Sequence, residues 1–499
     1  MFNRSLKVTK SKLFVRRLLA AVFSSSLLIP NFVAQPVQAQ VKEYCQLSST
    51  AVKEKDNLRL AALRGNPDAQ KRYQQILKQH AQEIKECRNR NWPQNLAIWL
   101  RLYPCDINPG LLDQIMDRIV NLGYNQVNLE VFYDGRVLLP AAANPTIWPS
   151  VIRTPGAEKA DLLANAIKKG RQRGLKVYAW MYTINFGYSY AQRRDREGAI
   201  ARNGKGQTSL YVVDNGTHVF IDPYNSQAKR DYYQMVQEVL RRRPDGLLFD
   251  YVRYPRQAGS DSIATKVTDL WLFSSATQEA LFRRAQNNKG LDLIRRFLSK
   301  GYVTAADIAE VDQLYPQEGE ALWQGRTLSA AQKSLLNPID RQPLLQWDLW
   351  QLAVAHAMQG ILDFVALASY PAQQQGIPAG AVFFPEGNQT LGQGYDSRLQ
   401  PWDRFPSSLQ WHPMAYATCG DASCIVAQIQ RVLSMAKPGT QVIPALAGKW
   451  GASISNRPSL EAQMQALRQF APQIKGVSHF AYSWQYPEND GDRKFCRNQ

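Results

Sequence analysis

Asp245-Gly246-Leu247-Leu248-Phe249-Asp250-Tyr251-Val252-Arg253-Tyr254-Pro255 is the stretch whose reading decides the fold. A short apolar run follows a basic helix end, Arg241 to Arg243, and a turn at Pro244. It stops at a carboxylate with an aromatic ring and an arginine behind it. This pattern predicts a buried parallel strand that delivers Asp250 to its carboxyl end. In strand-helix folds that end is where ligands and catalytic groups gather. The competing reading makes Asp250 a cap for the next helix. Asp, Tyr, Arg, Tyr and Pro within six residues favour a polar site, because groups that need hydrogen-bond partners are costly to bury idly.

Working outward, the chain alternates strand and helix. Leu96 to Leu102 reads as strand one, and a helix starting at Asn108-Pro109 places Leu112, Ile115, Met116 and Ile119 on one face. Strand two, Gln126-Val127-Asn128-Leu129-Glu130-Val131, alternates strictly. If its valines and leucine pack outward, Glu130 points into the lumen. A helix from about Ala157 to Arg173 precedes strand three, Leu175 to Tyr182. Ile221-Asp222-Pro223-Tyr224 leads to a helix capped by Asn225, and then to the Asp250 strand. Residues about 262–335 are polar and helix-rich, which predicts an insertion at the mouth of strand four. A long apolar helix, about Pro343 to Leu367, resumes the rhythm. Strand five is Ala381 to Pro385, strand six Leu409 to Tyr416, strand seven Gln441 to Ala447 and strand eight Val477 to Trp484. Helices from about Asp421 to Met435 and from Pro458-Ser459 separate the last three.

Eight strands with helix-length crossovers predict an α/β fold, a (β/α)8 TIM barrel over about residues 93–490. Before it, about 40–92, Asn66-Pro67 divides two helical stretches into an N-terminal helical hairpin. The tail, about 491–499, is too short for a full eighth helix, so the hairpin is expected to cover that gap.

The first 39 residues differ in kind. Arg4, Lys7, Lys10, Lys12, Arg16 and Arg17 precede an apolar run, Leu18 to Ile29, and Val37-Gln38-Ala39 offers small residues for a signal peptidase. The run is too short to span a bilayer, and Pro30 stops it. Export to the periplasm or outside the cell, with cleavage after about Ala39 and no stable membrane insertion afterwards, is the expectation. No cysteine would stand at the new terminus, which argues against a lipoprotein. Losing six basic and no acidic residues takes the formal charge from +19 to +13. A basic exported protein suits an anionic polymer or a membrane surface. No zinc-finger spacing, heptad or compact basic tract supports nucleic acid as the partner. Cys45, Cys87, Cys105, Cys419, Cys424 and Cys496 form an even set for an oxidising compartment. Sequence alone leaves their connectivity open, and the expected pairs are 45 with 87, 105 with 496 and 419 with 424.

The expected strand ends and their loops carry Glu130, Asp134, Asn185, Asp222, Asp250, Glu386, His412, Tyr416, Lys449, Trp450 and Trp484. Several carboxylates and flat rings around one mouth are what glycoside hydrolysis requires. No Gly-x-Ser-x-Gly elbow, phosphate loop or His-Glu-x-x-His helix points elsewhere, and neither a metal nor a cofactor is expected. Asp250 is read as nucleophile or base, Glu386 as first choice for general acid, and Glu130 as the next. Arg253 is read as an ion-pair partner that keeps Asp250 ionised. Tyr251 and Tyr254 are read as rim contacts, and Asp134, Trp180, Asn185, His412, Tyr416 and Trp484 complete the expected substrate-binding set. Asp222 is expected to organise the turn into its helix. For Trp180, Trp450, Trp484 and Tyr416 individually, core packing is the simpler reading, with one or two forming a sugar platform.

Val131-Phe132-Tyr133-Asp134-Gly135 with Leu139-Pro140, Lys176-Val177-Tyr178-Ala179-Trp180, Ile221-Asp222-Pro223, Asp245-Gly246 to Arg253-Tyr254-Pro255, Pro413-Met414-Ala415-Tyr416 and Phe480-Ala481-Tyr482 come in a telling order. On them the chain, from about Leu96 to Trp484, resembles the bacterial glycosyl-hydrolase-like family 10 group, distinct from the family 10 xylanases. The resemblance implies a barrel hydrolase acting on envelope or matrix polysaccharide rich in amino sugars, with its strand-four aspartate at Asp250. The alternative is a barrel without chemistry that binds glycan as a cell-envelope protein. Carboxylates at Asp250 and at a facing strand end favour the hydrolase.

Overall fold

The computed structural model describes residues 43–212, 216–329 and 337–497; the expected leader, 1–39, lies outside them. Eight parallel strands close into a barrel: β1 (Asn95–Leu100), β2 (Gln126–Tyr133), β3 (Lys176–Tyr182), β4 (Gly246–Asp250), β5 (Ala379–Phe383), β6 (Gln410–Ala415), β7 (Ala445–Ala447) and β8 (Gly476–Phe480). Each pairs with the next, and β8 pairs with β1 to complete the ring. β7 is shorter than its apolar run because Pro444 lacks an N–H for the ladder.

The lumen is filled by alternate residues of each strand. Tyr178, Trp180 and Tyr182 share one parity of β3, and Gly246, Leu248 and Asp250 share that of β4. A Cβ on Gly246 would lie 2.4 Å from the Tyr178 ring, and one on Gly380 2.8 Å from the His412 ring. Glycine at these two positions leaves room for the large neighbour, the small-against-large packing that a closed lumen needs. Trp99 reaches across to Ser478, donating to its Oγ at 3.0 Å, and meets Trp180 edge-on at 4.8 Å between centroids.

Before the barrel, α1 (Ser49–Leu63) and α2 (Pro67–Arg90) form the hairpin, and the Asn66 side chain accepts from Ala69 N at 2.9 Å. Within the barrel, α3 (Leu111–Asn121) starts after Gly110, three residues past the expected Asn108. α4 (Leu162–Arg171) is capped by Asp161, and α5 (Ser226–Leu240) by Asn225. Between β4 and α9 (Pro338–Gln374) lie α6 (Ser275–Phe282), α7 (Asn288–Lys300) and α8 (Ala305–Leu314). The polar stretch also holds a two-residue strand, Ile263–Ala264, paired antiparallel with Gly394–Asp396. α10 (Ser423–Met435), α11 (Leu460–Phe470) and a nine-residue α12 (Pro487–Phe495) complete the outer layer. The cysteines pair as 45 with 87, 105 with 496 and 419 with 424.

The hairpin docks on α3 and on the turn before β3. Buried Arg173 donates to Asp117 at 2.7 Å, to Asp113 at 2.9 Å and to the Tyr73 hydroxyl at 2.7 Å, and Tyr73 donates in turn to Asp117. Segment 43–47 reaches α11 and the loop before it: Glu43 pairs with Arg468, and Tyr44 packs against Trp450. α12 holds the other side, its Arg493 donating to both carboxylate oxygens of buried Asp106.

Removing one partner of a buried ion pair strands the other charge. Arg173→Met is therefore expected to lower unfolding stability by about 3–5 kcal/mol, read from the denaturant midpoint; a loss of only a few tenths would show that the hairpin is held by apolar contact alone. Burial also depresses four histidines, His80 to about 4 and His356, His412 and His479 to about 3. The folded state keeps them neutral where the unfolded chain binds their protons, so their stabilisation is complete above about pH 6.5 and is lost as pH falls. Denaturation midpoints across pH 7 to 4 should fall steeply, with net proton uptake on unfolding; a flat profile would place these rings in water.

Candidate active site

Asp250 closes β4, buried at 7% exposure. Its Oδ2 accepts from the Trp180 indole N–H at 3.1 Å, and its Oδ1 from the Tyr251 backbone N–H at 2.6 Å. Burial raises its pKa, while the Tyr251 N–H, the Arg253 charge and the indole pull the other way. These donors stabilise the ionised form, and the apolar surroundings favour the protonated one. A carboxyl balanced in this way is suited to exchanging a proton.

The expected Arg253–Asp250 ion pair does not form. Arg253, 9% exposed, lies among rings, 4.6 Å from the Tyr251 centroid, 5.5 Å from Phe384 and 5.7 Å from Phe220. Burial lowers its pKa, and its charge reaches Asp250 at longer range. Tyr251 stands in the left-handed region, at φ 53°, which turns its ring onto Tyr182 at 4.2 Å between centroids. Its hydroxyl lies 3.4 Å from His218 Nε2, and its pKa is pushed up to about 12, chiefly by burial. Asp134, at φ 47° in the turn after β2, faces His218 at 3.9 Å.

The other carboxylates are engaged. Glu130 points into the lumen as the alternation of β2 implies, fully buried, with both oxygens on Arg101. Burial raises its pKa against the opposing Arg101 charge. Glu386 lies in the loop after β5, where Gln428 of α10 donates to its Oε1. Asp222 is fully buried; it accepts from Tyr224 N in the turn into α5, and from the Ser274 hydroxyl and Thr277 N, which pins the start of α6.

Three expected site residues lie elsewhere. Tyr254 is not a rim contact: it is fully buried and donates to the Ala357 carbonyl of α9 at 3.3 Å. His412 is below the mouth, because the register of β6 sets it opposite Val382, beside Gly380 and Leu248. Asn185 is buried and spends its side-chain oxygen on Gly187 N and Val219 N, holding the loop after β3 together. Trp450, whose indole donates to the Tyr124 hydroxyl, packs outside the lumen with Tyr44 and His479. Trp180 and Tyr416 stay near Asp250: the indole bonds it, and its charge helps to raise the Tyr416 hydroxyl. Tyr416 and Trp484 flank Phe480, with centroids at 5.7 and 6.4 Å, and both are partly exposed.

Tyr182, His218 and Arg101 belong to the site without a sequence signal having singled them out, and Phe480, noted in the sequence only within the Phe480-Ala481-Tyr482 motif, joins them. His218 arrives through the long excursion after β3, which folds back as Asn185 bridges Phe220. Arg101 ends a run that reads as apolar. Among the described residues, no group of three or more His, Cys, Asp or Glu could hold a metal ion.

Residues 99–286 match the family model of glycosyl hydrolase-like 10. The matched segment runs from β1 into the insertion and contains Glu130, Trp180, Asp250 and Arg253. The motifs at Pro413 and Phe480 lie beyond it, so the match is shorter than the resemblance suggested by the sequence. No curated protein matches the chain. Of solved structures, a hypothetical protein from Ruminiclostridium thermocellum is similar at 16% identity and TM-score 0.24, over 32% of this chain and 77% of its own. The β-galactosidase of the psychrophilic Marinomonas ef1 is similar at 12% identity and TM-score 0.40, over 81% of this chain and 58% of its own. A GH20 catalytic module of the pneumococcal exo-β-D-N-acetylglucosaminidase StrH is similar at 11% and 0.39, over 81% and 84%. At these scores the site chemistry of the matched segment stands on its own residues.

Replacing Trp180 with Phe removes a hydrogen bond made to the ionised carboxylate, so the pKa of Asp250 should rise further. Carbon-detected NMR titration of the aspartate carboxyls checks this; an unchanged or lower value would mean that the indole does not hold the charge.

Proposed function

We propose that this protein is an exported glycoside hydrolase that cleaves O-glycosidic bonds in a bacterial envelope or extracellular polysaccharide. The observation that carries the reading is Asp250, a carboxyl raised by burial, held by two N–H donors, and set among Trp180, Tyr182, Tyr251 and Tyr416 at the carboxyl end of a barrel strand. Asp250 donates its carboxyl proton to the leaving oxygen as the glycosidic C–O bond breaks, and Trp180 and the Tyr251 N–H then hold the carboxylate that remains. Sequence alone assigned Asp250 as nucleophile or base; burial favours proton exchange instead. Phe480, Trp484 and Tyr416 offer ring faces for sugar stacking.

Of the two candidate partner carboxylates, Glu130 is committed to Arg101 through both oxygens, whereas Glu386 has one oxygen on a neutral amide. Glu386 is therefore the better candidate to activate water or attack the sugar. Three disulfides and the basic, apolar leader support export. A second reading, a barrel that binds glycan without cutting it, is favoured by the engagement of Glu130.

The test is reducing-end release from peptidoglycan strands, poly-hexosamines and other bacterial glycans by the mature protein and by Asp250→Asn. Activity on one polymer that falls roughly a hundred- to ten-thousandfold in the variant, with the circular dichroism spectrum unchanged, is the expected result. Its pH profile should decline on the alkaline side above the ordinary carboxyl range, as Asp250 loses the proton it must donate. Equal activity in both proteins would remove Asp250 from the chemistry, and binding without cleavage by either would establish the second reading.

A further inference from the structure

Arg253 is an arginine of the mouth whose carboxylate-binding edge meets no carboxylate among the described residues. In a guanidinium the Nε–H and one Nη2–H point the same way and form a fork that fits two oxygens of a carboxylate. Four other arginines among the described residues use that edge on both oxygens of one protein carboxylate, among them Arg196 on Asp231 at 2.7 and 3.4 Å. Arg101 grips Glu130, Arg398 grips Asp396 at 2.7 and 2.6 Å, and Arg493 grips Asp106 at 2.8 and 2.7 Å. Arg253 donates from Nη1 to the Tyr254 carbonyl at 3.0 Å, and among the described residues its Nε and Nη2 have no acceptor. Neither nitrogen is among the atoms sealed from solvent without a partner, so the open edge is reachable.

The rings of Tyr251, Phe220 and Phe384 hold the guanidinium and strip most of its water. A cation desolvated without a counter-charge is costly, and it is retained where an anion joins it. The neighbouring charges do not supply one in contact: Asp250 attracts it without forming an ion pair, Arg398 is paired with Asp396, and Arg256 adds a further positive charge. The surplus of basic over acidic residues across the chain points the same way.

We propose that the Nε–Nη2 edge of Arg253 receives a carboxylate carried by the glycan, so that the substrate is built from acidic sugars, bearing a uronate or an ether-linked lactyl group. This names the substrate class of the site described above and rests on the hydrolase reading only for what happens after binding. The flat two-oxygen geometry of a carboxylate fits the fork, and the ring walls leave the sugar body apolar surface to rest on.

The experiment is calorimetric binding of the folded mature protein to matched probes. These are glucuronate-containing and N-acetylmuramate-containing oligosaccharides, the same compounds after carboxyl reduction, and sulfated counterparts. Wild type is expected to prefer a carboxylated probe over its reduced form by about ten- to a hundredfold, the range of a charge-assisted bidentate bond. Arg253→Lys should lose most of that preference while keeping the charge, and Arg253→Gln all of it. If Arg253→Gln fails to fold, the wild-type pairs and Arg253→Lys still decide. Equal affinity for every carboxylated and reduced pair, a preference that survives in Arg253→Gln, or a stronger preference for sulfate would each overturn the proposal. Carboxylate-dependent binding without hydrolysis of any probe would leave it standing and remove the hydrolase reading. Hydrolysis of neutral glycan alone would do the reverse.

Discussion

A closed ring of eight parallel strands must fill its own lumen, and here it is filled with rings and polar groups more than with branched aliphatics. Trp99, Tyr178, Trp180 and His412 occupy it, and Gly246 and Gly380 make way for them. Polar atoms admitted there are costly to leave unpaired, and most find a partner, although His412 Nδ1 and Asn128 Nδ2 do not. Glu130 finds Arg101, Trp99 finds Ser478, and Trp180 finds Asp250. The candidate active site is thus the top of the same packing: the indole that fills the lumen also bonds the carboxyl at its mouth. The shape of the site and the stability of the barrel cannot be varied separately.

That coupling explains which parts of the molecule were legible in the sequence. The strand ending at Asp250 could be read because an apolar run with a polar end has few alternative placements. Asn66 and Asn225 could be read as caps because the hydrogen bond they make is local. Tyr254 and His412 were misplaced because strand position does not say how far a side chain stands from the mouth. Tyr254, just past β4, turns into the seam with α9, and His412 is set below the rim by the register of β6. The orientation of Arg253 depends on the left-handed turn at Tyr251, which no residue type in that stretch announces. His218 required a loop to travel away from the barrel and return, a distance that periodicity does not encode.

The additions to the barrel are held by buried polar joints as well as by apolar packing. Asp222 fastens the start of the insertion, and His356 on α9 accepts from Arg284 at 2.7 Å and lies 3.0 Å from the Thr277 carbonyl. Arg173 and Asp117 do the same for the hairpin. Such joints specify one geometry, because any sliding leaves charges unpaired. The insertion is therefore set firmly beside β4.

The bridge from Cys105 to Cys496 spans 391 residues of sequence and fastens the turn after the first strand to the last helix. Covalently, the chain between these cysteines is a ring that holds seven of the eight strands, with β1 on the arm that leads into it. A protease that cuts once in any loop between those cysteines opens the ring but releases no fragment, so the nicked chain keeps all eight strands tethered until the bridge is reduced.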